Sequence, residues 1–145
     1  MKFYISYYYQ IRFMNKNMIP LSTAVYPPKW FDKGEIYFDK NGVANGITCD
    51  LFVPGPSCCN LCRGRTICDY SPDSCEFLDA YYRQISNVSK EEFIEFANEV
   101  AGILNIKDPE IVLIVHETPS NPCSERAALV KWFKDNELEV SEWTP

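Results

Sequence analysis

The sequence predicts a single α/β domain, residues 1–145, with a mostly parallel central sheet flanked by helices. Three observations carry this. Residues 110–116 (EIVLIVH) form a short, nearly continuous apolar run, the pattern of a strand covered on both faces. A turn, a helical stretch at about 122–136 and a second strand-like stretch at 138–143 follow it, and a strand–helix–strand unit normally makes a parallel crossover. Residues 2–9 carry Phe, Tyr and Ile at the density of a strand, which supplies the sheet with an N-terminal member.

The elements follow in order. Residues 17–25 form a second strand, stopped by Pro27-Pro28. Residues 35–38 and 46–53 flank the turn-rich DKNGVANG, which predicts a hairpin or an irregular excursion. A cysteine-rich loop occupies about 54–75, where Pro54, Gly55, Pro56, Gly64 and Pro72 break regular structure. Asp73 or Ser74 can cap a helix reaching about residue 86, whose Phe77, Leu78, Tyr81, Tyr82 and Ile85 share one face at helical spacing. Ser89 and Glu92 have the S-x-x-E spacing of a capping box, ahead of a helix to about residue 104. At the last helix Asn121 is a suitable N-cap and Pro122 suits the first helical position.

Composition narrows the function classes. The chain is 46% hydrophobic, 14% aromatic and 23% charged, with a net charge of −6. That balance is wrong for a protein that holds duplex nucleic acid mainly through its phosphates, but it leaves room for a local basic patch or a nucleotide site. Tyr4, Tyr7, Tyr8 and Tyr9 are expected in the core first, and as a stacking surface for bases second. Gln10, Arg12, Asn15, Lys16 and Asn17 interrupt the N-terminal stretch, so no secretory signal is expected. The apolar runs are too short to span a membrane, and a cytoplasmic location follows as the expectation.

Five of the seven cysteines lie within PSCCNLCRGRTICDYSPDSC. In a reducing compartment such a cluster is read as metal-binding before disulfide-forming. Cys59 and Cys62 make a C-x-x-C pair, Cys68 and Cys75 supply two further thiolates, and Cys58 is the alternative to Cys59. Four thiolates suit tetrahedral Zn²⁺, which is the expected metal. A [4Fe–4S] cluster takes the same ligand number and is the alternative. Cys59, Cys62 and Cys68 resemble the spacing of the last three cluster ligands in endonuclease III-type DNA glycosylases, although Phe52 stands where the first ligand would be. Arg63 and Arg65 would partly offset the negative charge of a four-thiolate zinc site.

A second constellation surrounds Cys123. If Asn121 caps the helix, Cys123 falls in its first turn, where unpaired N–H groups and the helix dipole favour a thiolate or bind an anion. His116 and Glu117 stand at the carboxyl end of the preceding strand, the place where open α/β sheets put their ligands. Cys123 and Glu117 are thus the catalytic candidates, as nucleophile or base. Asn121, Arg126 and His116 are the substrate-binding ones, with Arg126 expected to hold a phosphate.

The stretch IVLIVHETPSNPCSERAALVKWF resembles the C-terminal hallmark of the domain-of-unknown-function 488 family, with an apolar strand, then Glu117, then Cys123 opening an Arg-containing helix. MIPLSTAVYPPKWF is similar to that family's second strand, and CEFLDAYYRQI to its F-x-x-x-Y segment. Ser124 replaces the family's histidine and Glu125 displaces the arginine to Arg126, so no histidine-dependent role carries over. The resemblance implies a phage or bacterial setting, the host cytoplasm if viral, and supports the fold and site position more than any reaction. The functional expectation is a small metal-binding α/β protein acting on or binding a nucleotide or nucleic acid. The alternative is a non-catalytic module, of the kind a phage or mobile element uses to bind a host protein, with a structural zinc loop.

Overall fold

The computed structural model describes residues 1–62, 73 and 75–145. Four parallel strands build the central sheet: β1 (Lys2–Tyr7), β2 (Met18–Ser22), β5 (Glu110–Val115) and β6 (Ser141–Glu142), in the order β2-β5-β1-β6. Tyr37–Phe38 (β3) and Ala44–Asn45 (β4) form a separate antiparallel hairpin. The helices are α1 (Pro56–Cys62), α2 (Glu76–Ile85), α3 (Lys90–Leu104) and α4 (Glu125–Asp135). Among the described residues no helix is long and apolar enough to cross a membrane.

Strand alternation sends the sheet's side chains into two cores. Ile5, Ile19, Leu21, Ile111, Leu113 and Val115 face one side, where Tyr81, Phe93, Ala97, Leu129, Trp132 and Phe133 of α2, α3 and α4 cover them. Met18, Val112 and Ile114 face the other side, against Tyr8, Ile11, Met14, Phe31 and Val43. The helices therefore lie on one face. The second face is closed by a 3₁₀ turn, Tyr8–Phe13, and by the excursion between β2 and the hairpin. The predicted two-sided strand at 110–116 is borne out, since Ile111–Val115 is buried throughout.

Local chemistry explains the boundaries. β1 ends at Tyr7, two residues earlier than its tyrosine-rich sequence predicts, because Tyr8 turns inward to the second core. The Ser89–Glu92 capping box is present, with Ser89 Oγ accepting from the Glu92 N–H at 3.0 Å and Glu92 Oε1 accepting from the Ser89 N–H at 3.1 Å. Gly46 has φ +96°, and a Cβ there would stand 2.7 Å from the Glu35 carbonyl oxygen, so the excursion needs glycine at this point.

Part of the cysteine loop is a short helix rather than irregular chain. Gln84 on α2 ties it down: its Nε2 donates to the Val53 carbonyl at 2.7 Å, and its Oε1 accepts from the Gly55 N–H at 2.7 Å and from the Cys58 thiol at 3.0 Å. Cys75 itself occupies the N-cap position of α2, in place of the predicted Asp73 or Ser74. Cys68, Arg63, Arg65 and Ser74 lie outside the described residues.

Candidate active site

The carboxyl ends of β1, β2 and β5 and the start of α4 converge on one cluster of polar groups. Ser22 ends β2, Tyr8 follows β1, and His116 and Glu117 follow β5. The Tyr8 hydroxyl and Ser22 Oγ share a buried hydrogen bond of 2.5 Å. Burial, reinforced by the charges of Glu125, Glu117 and Asp32 and opposed by the Ser22 bond, raises the Tyr8 phenol to about 12. The His116 ring lies 4.9 Å from the Tyr8 ring, centroid to centroid, and its Nε2 is 2.9 Å from the Tyr26 carbonyl oxygen. A carbonyl oxygen only accepts, so Nε2 carries the proton.

Glu117 and Glu125 form the chemical centre. Burial first, then the charge of Glu117, then a hydrogen bond between the two carboxyl groups raise Glu125 to about 7. Its own backbone N–H and the Arg126 charge pull the other way. Glu125 thus keeps its proton to near neutral pH while its carboxyl group lies against that of Glu117. Glu117 Oε1 is buried and has no hydrogen-bond partner among the described residues. Such a pair holds a base and an acid side by side.

The helix start differs from the sequence expectation. Ser124, buried, is the N-cap of α4, and its Oγ accepts from the Arg126 N–H at 3.1 Å. Asn121 instead closes a tight turn, its Oδ1 accepting from the Cys123 N–H at 2.9 Å. Ser and Asn are equally good caps, and the one that reaches a helical N–H wins. Cys123 consequently precedes the N-cap rather than lying in the first turn, and its backbone N–H donates to Asn121 Oδ1.

The predicted phosphate-holding role of Arg126 is also altered. Its Nε and Nη2 donate to Glu142 Oε1 and Oε2 at 2.6 and 3.2 Å, a bidentate ion pair in which the arginine side chain is 12% exposed. Only Nη1, buried and without a partner among the described residues, remains available. The structure brings Glu117 and His116 together with Tyr8, Ser22 and Glu125, and commits Arg126 to β6. Tyr8 was expected in the core or on a stacking surface rather than in this cluster, and Ser22 and Glu142 were not singled out from the sequence. Their signal is positional: each stands within a residue of a strand's carboxyl end or on the short last strand.

Among the described residues no group of three or more His, Cys, Asp or Glu side chains gathers to hold a metal. Cys59 and Cys62 lie three residues apart on α1, which puts them on one helical face. Cys62 is exposed and Cys75 half-buried. Cys58 is buried, and its thiol donates toward the Gly55 carbonyl and Gln84 Oε1, so it serves packing and is a poorer ligand than Cys59. Cys49 is fully buried in the first core, and burial raises its thiol to about 12.

The class these features define is an open parallel α/β protein with two carboxyl groups in contact at its strand ends. No protein-family model, curated protein or solved structure matched the chain.

Proposed function

We propose that the protein binds and acts on a nucleotide or nucleic acid at this strand-end centre, with Glu117 and Glu125 as its acid–base couple. One observation carries the reading: Glu125, raised to about 7 chiefly by burial, lies against Glu117 in the cluster that holds Tyr8 and His116. The carboxyl edge of a parallel sheet is where such folds take ligands. Exposed Tyr26 and Trp30 border the same region, Tyr26 through its carbonyl at His116 and Trp30 through an edge-on contact with Tyr8 at 6.3 Å. Aromatic faces of this kind stack on bases. The likeness to the domain-of-unknown-function 488 family belongs to the same proposal, supported by the order of β5, Glu117, Cys123 and the Arg126-bearing helix.

The cysteine loop is proposed to hold Zn²⁺, or alternatively an iron–sulfur cluster, through Cys59 and Cys62 with Cys68 and Cys75. What supports it is the donor chemistry of paired thiols on one face of α1. Bound zinc would order the loop and supply no reaction step. Metal analysis of protein purified without oxygen tests this: close to one zinc per chain supports it, and metal-free protein with few titratable thiols overturns it.

The function test incubates the protein with single-stranded and duplex oligonucleotides and with free nucleotides, and follows products by mass spectrometry. Turnover that E117Q and E125Q abolish, in variants with native circular dichroism, supports the reading. No product from any of these, or wild-type rates in E125Q, overturns it. C123A separates a thiol nucleophile from a carboxylate base. A non-catalytic interaction module is the second reading, favoured by the Arg126–Glu142 ion pair, which removes most of the cation expected to hold a phosphate.

A further inference from the structure

The chain's charge is divided unevenly. Residues 1–48 contain Lys2, Arg12, Lys16, Lys29, Lys33 and Lys40 against Asp32, Glu35 and Asp39, a formal charge of +3 in a protein of net −6, so the remainder carries −9. This basic third is the part that closes the sheet's second face, opposite α2, α3 and α4.

A cleft of about 460 Å³ opens in it, between the 3₁₀ turn, the Trp30 loop and the β3–β4 hairpin. Small-molecule and base-sized sites occupy roughly 300–1,000 Å³. Trp30 and Tyr37 line the cleft beside buried Ile11, and Trp30 is 44% exposed. Arg12, Lys40 and Asn41 are exposed along the same cleft. Among the described residues neither Arg12 nor Lys40 has an ion-pair partner. The one carboxylate in the lining, Asp39, is spent on the turn: its Oδ1 accepts from the Asn41 and Val43 N–H groups at 2.8 and 3.1 Å.

The Arg12 guanidinium lies 4.0 Å from the Tyr9 ring centre, and its Nε donates to the Tyr9 carbonyl at 3.0 Å. Asn41 Nδ2 donates to the Arg12 carbonyl at 2.9 Å, and the Lys16 side chain lies against Gly42. Lys33 sits 4.2 Å from the Tyr37 ring centre. Exposed Tyr9 and Phe13 extend the aromatic surface from the same 3₁₀ turn, 5.9 Å apart. Aromatic rings flanked by cations are what a single strand of nucleic acid requires. A duplex hides its base faces and depends on a larger basic surface.

We propose that this cleft seats one base of a single-stranded nucleic acid between Trp30 and Tyr37, with Arg12, Lys16 and Lys40 on the adjoining phosphates. The proposal rests on the nucleic-acid reading for its ligand class and extends it by naming the strand form and a second surface. Through Trp30, which touches Tyr8, the cleft adjoins the strand-end centre.

The test uses E125Q protein, which by the reading above binds without turning over, and fluorescence anisotropy of labelled single-stranded oligonucleotides. Expected are salt-dependent binding with a log–log slope of about −2, at about −0.7 per phosphate contact on single strands, and a loss of about tenfold or more in W30A from one lost stacked base. K40A and R12A should each flatten the salt slope. Duplex of the same sequence, or a free mononucleotide, binding as tightly as the oligonucleotide overturns the proposal, as does W30A and R12A binding like the parent. In that last case oligonucleotide binding persists elsewhere and the strand-end reading stands. No oligonucleotide binding at all also overturns it, and the reading then rests on product formation from free nucleotides.

Discussion

Replacing Glu125 by Gln should make folding stability insensitive to pH where the wild type loses it. In the folded protein Glu125 holds its proton up to about 7, against 4.5 when unperturbed, chiefly because it is buried and faces Glu117. Between these values the unfolded chain has released a proton that the folded chain retains. A raised folded pKa therefore contributes stability that is complete below about 4.5 and is lost as pH rises through about 7. At about 1.4 kcal/mol per pH unit, the loss approaches ~3 kcal/mol. Gln cannot ionise, and its amide N–H can donate to Glu117 as the protonated carboxyl does. Urea unfolding of wild type and E125Q at intervals from pH 4.5 to 8.5 measures the effect. The wild-type curve should fall relative to the variant by a few kcal/mol, with E125Q the more stable at pH 8. Parallel curves across that range would refute the raised Glu125 carboxyl.

Three further outcomes follow. Trp132→Ala removes a fully buried indole that packs on Phe52, Phe93 and Phe133 and donates to the Val88 carbonyl, and should cost about 3–5 kcal/mol in denaturant unfolding. Gln84→Ala severs three hydrogen bonds between α2 and the α1 region and leaves the Val53 carbonyl and Gly55 N–H without their partner. A loss of about 1–3 kcal/mol and faster proteolytic cleavage near residues 53–62 should result, read by denaturation and by mass spectrometry of the fragments. Alkylation of native, metal-free protein at pH 8 should label exposed Cys62 and spare Cys49, whose thiol is buried and raised to about 12; denaturant should abolish the difference.

How much was legible depended on whether local signals were redundant. At β5 five apolar residues in a row leave one reading, and at α3 the capping box and the apolar face agree. At α4 two capping residues, Asn121 and Ser124, compete, and only tertiary placement decides between them. The helix α1 was hidden because its proline marks a helix start as well as a break, and its cysteines suggest a loop. The site was legible as a location, since β5 and α4 had to meet there. Its chemistry was not: Glu125 reads as an ordinary first-turn acid until burial against Glu117 gives it a proton. Pairing of Arg126 with Glu142 likewise depends on β6 joining the sheet beside β1, a neighbour that nothing local announces.

That placement of β1 has a consequence for synthesis. β1 lies inside the sheet, and both its neighbours, β5 and β6, follow it far along the chain. Lys2 pairs with Glu110 and Tyr4 with Ser141. At roughly 5–20 residues per second, a ribosome needs about 5–20 s to travel the hundred or so residues between β1 and β5. Throughout that time Phe3 and Ile5 have no sheet to join, and β2, whose strand partner is β5, has only the bridge from Ser22 to Thr48. The nascent chain therefore closes its sheet late, once β5 is made. In the interval it presents two apolar strands that a chaperone, or another nascent copy, can capture.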